Sequence, residues 1–146
     1  MTPPRMPTQE EVEKATMRLP TVRRLRAAIG MICGWERPFH RHKSLCAHYQ
    51  GDDLDVGQIP QYDTSLDAIY RDLVPLMASR GLWLKIRGPH RGPDRQFNAT
   101  WTSYEGAEIR GYARDPSPAR AVCLASLEAC HLQVENVLGT ERDGAP

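Results

Sequence analysis

Apolar residues recur at helical spacing in three parts of the chain, and each part predicts a helix with one buried face. The first part covers residues 22–32, the second 66–77 and the third 122–138. The apolar positions are Val22, Leu25, Ala28, Ile29 and Ile32; Leu66, Ile69, Tyr70, Leu73 and Met77; and Val122, Cys123, Ala125, Leu127, Cys130, Val134 and Leu138. Isolated helices of this length are marginal in water, so we expect packing on a sheet to stabilise them.

Residues suited to helix ends mark the boundaries of these helices. A capping box at Thr8 and Glu11 predicts an additional short helix that stops by Leu19. The capping residues expected for the three main helices are Thr21, then Asp63 or Ser65, then Ser117 followed by Pro118 in the first turn. Gly34 and Gly81 suit left-handed positions after helices. Pro75 predicts a kink or an early end of the second helix.

Alternation of polar and apolar residues predicts three strands between the second and third helices. They are Leu82–Arg87, Gln96–Trp101 and Glu108–Ala113, with a turn at 104–106 between the last two. The segment Glu36–Gln58 is polar and irregular, and it predicts two short strands at best, around a turn at 51–53.

The element order is therefore helix, strands, helix, three strands, helix. An antiparallel sheet of this size needs at least one apolar face covered. We therefore predict an α+β fold, with a small antiparallel sheet sandwiched by helices. The expected division is an N-terminal extension with a short helix at 1–20, one α/β sandwich domain at 21–138 and a disordered tail at 139–146.

Three segments of the chain resemble the phage ABA-sandwich domain family, small accessory proteins of bacteriophages and prophages. Met31–Glu36 resembles the Met-Gly-Trp helix end of that family, and Pro60–Leu66 resembles its Pro-x-Tyr-Ser-Thr-Asp cap. Ala113–Ala129 resembles its Pro-x-Ala-x-Cys-Leu-Ala-x-Leu helix. The resemblance implies a phage origin and a helix-sheet-helix sandwich, with Trp35 and Tyr62 as packing residues. It implies no catalytic residues.

Composition fits one soluble globular protein of 146 residues, with 40% hydrophobic and 25% charged residues. The sequence shows no apolar run near 18 residues and no secretory signal, so no membrane association is expected. The four cysteines lack the spacing of a disulfide scaffold, and buried free thiols in a reducing compartment are expected. Together with the resemblance, these features predict the cytoplasm of a bacterial host.

Charge is distributed unevenly along the chain, although the net charge is only +1. Residues 1–50 hold nine lysines and arginines against four acidic residues, and residues 51–146 hold ten against fourteen. This asymmetry predicts a basic face and an acidic partner. Arg23, Arg24 and Arg26 fall off the apolar stripe of the first helix, so we expect them to be solvated and to form a basic face that can bind the partner. Arg41 and Lys43 are further candidates for partner binding.

A group of metal-ligating residue types lies at His40, His42, Cys46 and His48. Imidazole and thiolate suit zinc, and spacings of two residues can place ligands on one side of a strand. No familiar zinc spacing is completed, so the alternative reading is a solvated basic loop that includes Arg41 and Lys43. No metal or other cofactor is expected.

The segment between the first two strands of the three-strand set is rich in arginine. Arg87, His90, Arg91 and Arg95 lie between glycines and prolines. A loop on a rigid scaffold often carries binding function, and arginine suits phosphate or carboxylate recognition. With Trp101 and Tyr104 close by, we consider a contact surface for nucleic acid or for an acidic protein patch. The alternative is a mobile hairpin whose charge aids solubility.

No nucleophile–base pair, calcium loop or phosphate-binding glycine motif is present, so an enzyme is not expected. The predicted function is a non-enzymatic phage accessory protein that binds and inhibits a bacterial host factor. A defence complex such as a CRISPR effector is the expected partner. The alternative is a nucleic-acid-binding or nucleotide-sequestering module of phage replication, and a zinc-dependent protein is a third reading.

Overall fold

The computed structural model describes residues 4–49, 52–92, 95–104 and 108–139. The chain divides into two compact units, one formed by residues 1–60 and 132–146 and the other by residues 61–131. Helices combine with two antiparallel three-stranded sheets, one in each unit, so the predicted α+β class is confirmed. One domain over residues 21–138 stays a prediction, and the predicted tail lies outside the described residues beyond Gly139.

The first unit begins with helix α1 (Gln9–Thr16), which starts at the predicted capping box. The Thr8 hydroxyl accepts a hydrogen bond from the Glu11 amide at 3.2 Å, and the Glu11 carboxylate accepts one from the Thr8 amide at 3.1 Å. Two N–H groups that a helix start leaves unpaired are thereby satisfied. The prediction for this helix is confirmed.

Helix α2 (Thr21–Ile32) differs from the prediction in its cap and in its buried face. Thr21 is its first residue, and Pro20 occupies the cap position without a side-chain hydrogen bond. Val22, expected in the core, is 78% exposed, whereas Arg26, expected in solvent, is 8% exposed. The cause is that every residue from Leu25 to Ile32 is buried, so this part of the helix is enclosed on all sides.

The first sheet contains strands β1 (Trp35–Arg41), β2 (Ser44–Tyr49) and β3 (Asp52–Gln58) in that order. The prediction of two short strands at best in this segment is therefore wrong. Pro38 has no N–H to donate, and the register of β1 shifts between Glu36 and Phe39. Proline is tolerated at such a bulge on an edge strand. The unit also contains helix α6 (Val134–Leu138).

The second unit begins with a helical run that changes its hydrogen-bonding pattern ahead of Pro75. Helix α3 (Leu66–Ala68) leads into a π-helical segment (Ile69–Leu73) and helix α4 (Val74–Ser79). The amide of Val74 bonds to the carbonyl of Ile69, five residues earlier. In a regular α-helix the ring of Pro75 would collide with the carbonyl group four residues before it. The π-helical turn changes the hydrogen bonding ahead of Pro75 and avoids this collision.

Two predictions for this run can be checked residue by residue. The Ser65 hydroxyl accepts from the amide of Ala68 at 3.2 Å, so Ser65 is the capping residue of the two that were considered. Tyr70, predicted on the buried stripe, lies within the π-helical segment and is 52% exposed, whereas Leu73 and Met77 of the same stripe are buried. Tyr62 is fully buried, and its hydroxyl donates to Asp72 at 2.7 Å.

The second sheet contains strands β4 (Leu82–Arg87), β5 (Phe97–Ser103) and β6 (Ile109–Asp115), with β5 in the centre. Helix α5 (Pro118–Ala129) covers one of its faces, and the Ser117 hydroxyl caps this helix as predicted. The Trp101 indole donates to the Ser126 hydroxyl at 2.8 Å. Gly111 allows the close approach, since a Cβ there would collide with the carbonyl oxygen of Ala125. The three predicted strands are confirmed.

The last predicted helix is two helices. The first, α5, ends at Ala129, and His131 then adopts a positive φ of 61° before α6 begins at Val134. The prediction of one helix to Leu138 is wrong because the chain changes direction at residues 130–133. Val134 and Leu138, which were predicted to be buried, are half-buried, whereas Val137, which was not predicted, is fully buried.

Cys33, Cys123 and Cys130 are buried and form no disulfide, and Cys46 is half-buried. Burial raises the pKa of the Cys130 thiol to about 11. Within the described ranges, no helix has the length and apolar character needed to cross a membrane.

Candidate functional site

The face of the second sheet opposite to helix α5 is exposed. Along β4, burial alternates strictly, with Trp83, Lys85 and Arg87 directed outward. The register pairs these residues with Thr102, Thr100 and Asn98 of β5, which in turn pair with Ile109, Tyr112 and Arg114 of β6. Cross-strand partners lie on the same face of a sheet. We call this surface the open sheet face, and it consists of Trp83, Lys85, Arg87, Asn98, Thr100, Thr102, Ile109, Tyr112 and Arg114.

Large apolar side chains are unusually exposed on and beside the open sheet face. Trp83 is 59% exposed, Ile109 62% and Tyr112 43%. Tyr104 follows the end of β5 and is 51% exposed, with its ring centroid 5.2 Å from that of Trp83. Its amide donates to the Gly81 carbonyl at 2.9 Å, which fixes the backbone at this position. A contiguous exposed patch of this kind marks an interaction surface.

The charged side chains of the open sheet face are all cations. Lys85, Arg87 and Arg114 have no acidic partner in the described part of the chain, and no carboxylate there belongs to this face. The neighbouring acids are paired elsewhere. Glu108 lies 3.3 Å from Arg110, and Asp115 of the covered face lies 3.3 Å from Arg120. The face therefore combines aromatic surface with uncompensated positive charge.

The predicted basic loop begins at the end of the open sheet face, where β4 leads out at Arg87. The peptide bond between Gly88 and Pro89 is cis, and Gly88 has a φ of +131°. A Cβ on Gly88 would lie 2.9 Å from the carbonyl oxygen of Gln96, which excludes larger residues. The amide of His90 donates to that same carbonyl at 3.0 Å. These contacts fix the base of the loop against β5.

The residues predicted to bind a partner in this loop are brought together. Arg91 and Arg95 are exposed, and with Pro89, His90 and Gly92 they line a recess of about 370 Å³. The Nε2 atom of His90 is buried without a hydrogen-bond partner among the described residues. Arg87 is exposed at the entrance to the loop. The predicted cluster is thus a basic extension of the open sheet face.

The three arginines of α2 differ in their exposure, and partner binding by this group stays a prediction. Arg26 is buried, and Arg23 donates to the carbonyl oxygen of Lys43 at 3.1 Å. Arg24 donates to the carbonyl oxygen of Leu19 at 3.1 Å and to that of Leu138 at 3.3 Å. The prediction of solvation is wrong for Arg26, whereas Arg23 and Arg24 are half-buried and donate hydrogen bonds to backbone carbonyl oxygens.

The basic residues of the first hairpin lie apart from that helix. Arg41 and Lys43 are exposed where β1 turns into β2, on either side of His42. His42 itself has a φ of 56°, in the left-handed region. Partner binding by Arg41 and Lys43 stays a prediction.

The residues considered as zinc ligands do not converge. His40 pairs with Leu45, whereas Cys46 pairs with Phe39. His40 therefore lies on the face opposite to that of Cys46 and His48, since adjacent residues of a strand alternate. Within the described ranges, no group of three or more histidine, cysteine or acidic side chains could hold a metal ion.

Sequence reasoning missed the centre of the candidate site. Trp101, expected beside the loop as a contact residue, is fully buried under α5, whereas Trp83 and Tyr112 carry the exposed aromatic surface. The signal was present in the sequence, because the outward residues of β4 and β6 include Lys85, Arg87 and Arg114 at alternating positions. The sequence shows which residues of a strand lie on the same face, because they alternate. Which of the two faces a helix covers follows only from the fold.

Comparison with known proteins gave no match to the chain among family models, curated proteins or solved structures. The resemblance to the phage ABA-sandwich domain family stays a prediction. The properties of the site therefore carry the functional argument.

Proposed function

We propose that this protein is a non-enzymatic nucleic-acid-binding protein that holds single strands on its open sheet face. The observation that carries the proposal is a sheet face with exposed Trp83 and Tyr112, with unpaired Lys85, Arg87 and Arg114, and with no described carboxylate. Proteins that bind single strands combine a cationic track for the phosphates with aromatic side chains on which bases stack. The open sheet face offers both on one surface.

Single strands are favoured over duplexes because the aromatic groups lie within a sheet. Base faces are accessible for stacking only where the bases are unpaired. Adjacent strands of a sheet are about 4.8 Å apart, so Lys85 and Tyr112, two strands apart, span roughly 10 Å of surface. The basic loop with Arg91 and Arg95 extends the cationic track beyond the end of β4.

The test is binding of fluorescein-labelled oligonucleotides, measured by anisotropy over a series of salt concentrations. Oligo(dT) of about 12 nucleotides matches the site size of small single-strand-binding modules. Each phosphate contact contributes about −0.7 to the slope of log K against log salt for single strands. Three cations on the face predict a slope of about −2, and the two loop arginines would extend it toward about −3.5. The matching duplex is expected to bind more weakly.

Absence of oligonucleotide binding at low salt, or a slope near zero, would contradict this proposal. A duplex that binds as tightly as the single strand would contradict the role of stacking. Sequence preference is expected to be small, because every base has a face that can stack.

A second candidate function is inhibition of a bacterial defence complex, as the phage-like resemblance suggests. The exposed cluster of Trp83, Tyr104, Ile109 and Tyr112 favours it, since aromatic residues are enriched at protein interfaces. An interface with an apolar centre would depend only weakly on salt. Affinity capture from a bacterial lysate treated with nuclease distinguishes the two, because a host protein retained without nucleic acid would support the inhibitor.

A further inference from the structure

A groove in the first unit lies outside the open sheet face and has no part in the proposed function. It has a volume of about 580 Å³, which is within the range of sites for small molecules. Helix α1 and strand β1 form its two sides. The charged residues of its lining are Arg5, Glu11, Lys14, Arg18, Glu36 and Arg37.

One side of the groove is formed by helix α1 and the turn that follows it. Glu11, Lys14 and Ala15 are spaced three and four residues apart on one face of the helix. Arg18 lies in the turn just after the helix end and lines the same groove. Lys14 and Arg18 are exposed and have no acidic partner in the described part of the chain. Two cationic side chains, one on α1 and one just after it, thus line the groove beside its apolar interior.

The other side of the groove is the bulge of strand β1. The register shifts between Glu36 and Phe39, and Arg37 adopts a φ of 53°. A non-glycine residue in this region of backbone space is uncommon, and such residues concentrate at ligand-binding positions. The bulge turns Arg37 and Pro38 toward the groove, where both contribute to its lining.

The interior of the groove is aromatic and held in place. The ring of Trp35 packs edge-on against Tyr49 with centroids 5.4 Å apart. A Cβ on Gly57 would lie 3.0 Å from the Trp35 ring, so the indole fills the space that the glycine leaves. Phe39 and Met31 complete the apolar surface. A flat, preformed apolar wall of this kind suits an aromatic ligand.

The charge of the lining favours an anion. Four basic residues face two acidic ones, and the Glu11 carboxylate is already bound by Arg5 at 2.7 and 2.9 Å and by the Thr8 amide. This hydrogen bonding lowers the pKa of Glu11 to about 2, with the contact to Arg5 as the largest cause. The carboxylate therefore stays ionised at neutral pH but is compensated within its own contacts. Glu36, the other carboxylate of the lining, acts on Arg5. Because four cations face two carboxylates, the groove keeps a positive excess, and Lys14 and Arg18 have no acidic partner among the described residues.

We infer that this groove binds a small organic anion with a flat aromatic body. The body lies against Trp35 and Phe39, and the anionic group is held by Lys14 and Arg18. The site is independent of nucleic-acid binding by the open sheet face, so each proposal can fail without the other.

The test uses two fluorescent probes that share a ring system and differ in charge. The anionic probe is 1-anilinonaphthalene-8-sulfonate, and the neutral one is N-phenyl-1-naphthylamine, which lacks the sulfonate. We expect the full chain to bind one molecule of the anionic probe and to bind the neutral probe at least roughly tenfold more weakly, since charged hydrogen bonds are worth about one power of ten or more. Equal affinity for the two probes would overturn the proposal.

Variants locate the bound probe. The double variant Lys14→Ala/Arg18→Ala is expected to bind the anionic probe roughly tenfold more weakly and to bind the neutral probe with unchanged affinity. Arg41→Ala/Lys43→Ala removes two exposed cations of the same unit outside the groove and should have no effect. If the alanine variant loses stability, Lys14→Gln/Arg18→Gln keeps the side-chain length and serves the same purpose.

The signals of the tryptophan indoles give a second readout by nuclear magnetic resonance. Titration with the anionic probe should shift the Trp35 indole N–H and leave those of Trp83 and Trp101 in place. A shift confined to Trp83 would place the probe on the open sheet face and would overturn the inference. An unchanged affinity of the Lys14→Ala/Arg18→Ala variant would do the same.

Discussion

Replacing Trp83 with alanine tests the open sheet face at its largest exposed side chain. The indole is 59% exposed and lies against Tyr104, so it presents a face on which a base can stack. Stacking of a base on an aromatic side chain is worth about 1–3 kcal/mol by alanine substitution. The dissociation constant for oligo(dT) should therefore rise roughly 5- to 150-fold.

The salt dependence of binding separates this effect from the loss of a phosphate contact. Trp83→Ala removes no charge, so the slope of log K against log salt should stay at the value of the natural protein. Replacing Lys85, Arg87 and Arg114 with glutamine should instead make the slope less negative by about 2. The two classes of variant thus lower the affinity in distinguishable ways.

The loss of affinity should not arise from unfolding. Because the Trp83 side chain lies mostly in solvent, its removal should lower the free energy of unfolding by about 1 kcal/mol or less. Urea denaturation followed by circular dichroism measures this change. A much larger loss of stability would mean that the side chain supports the sheet itself.

Two controls make the Trp83 experiment decisive. Tyr70→Ala removes an aromatic side chain of similar exposure from the π-helical segment, away from the open sheet face, and should leave binding unchanged. Trp83→Phe keeps an aromatic face and should recover much of the affinity. The reasoning is refuted if Trp83→Ala binds oligo(dT) within about twofold of the natural protein or if Tyr70→Ala loses as much.

Four further predictions address the scaffold and its thiols. Gly111→Ala should destabilise the second unit by about 3 kcal/mol in urea denaturation, because a methyl group has no room under α5. Ser126→Ala should cost about 1–3 kcal/mol in the same assay by leaving the buried Trp101 indole N–H without its partner. Cys46 should react with a disulfide reagent in the native protein while the buried thiols do not, and Cys46→Ser should abolish that reaction. The pKa of Glu11 is lowered to about 2 from its ordinary value of 4.5. The ionised Glu11 side chain therefore stabilises α1 fully above pH 4.5, and this stabilisation is lost as the pH falls through about 2. Circular dichroism should show this acid transition reduced in Glu11→Gln.

The helix starts could be predicted because their determinants are local. The caps at Thr8, Ser65 and Ser117 each act on an amide three residues later, so the printed sequence contains the whole interaction. The alternating strands of the second sheet were equally accessible, since parity along a strand is a property of the chain itself.

The failures concern features that depend on distant contacts. Val22 and Arg26 exchange their expected environments because the packing around α2 encloses the part from Leu25 onward. The break after α5 occurs at His131, which adopts a left-handed backbone conformation. No glycine or proline at this position indicates the helix end in the sequence. Such features are set by what the chain packs against, and helical periodicity alone does not contain that information.

The candidate site shows the same division between local and distant information. Positive charge counted along the chain pointed to residues 1–50, yet Arg23 and Arg24 of that segment bind backbone carbonyl oxygens. The acidic excess of residues 51–146 does not make the open sheet face acidic, since Asp115 pairs with Arg120 on the other side. The charge of the open sheet face depends on which alternate residues of the strands point outward and on which face α5 covers. The number of charges in a sequence segment is therefore a poor guide to a binding surface. The slope of log K against log salt depends instead on the number of cations on the sheet face that contacts the phosphates.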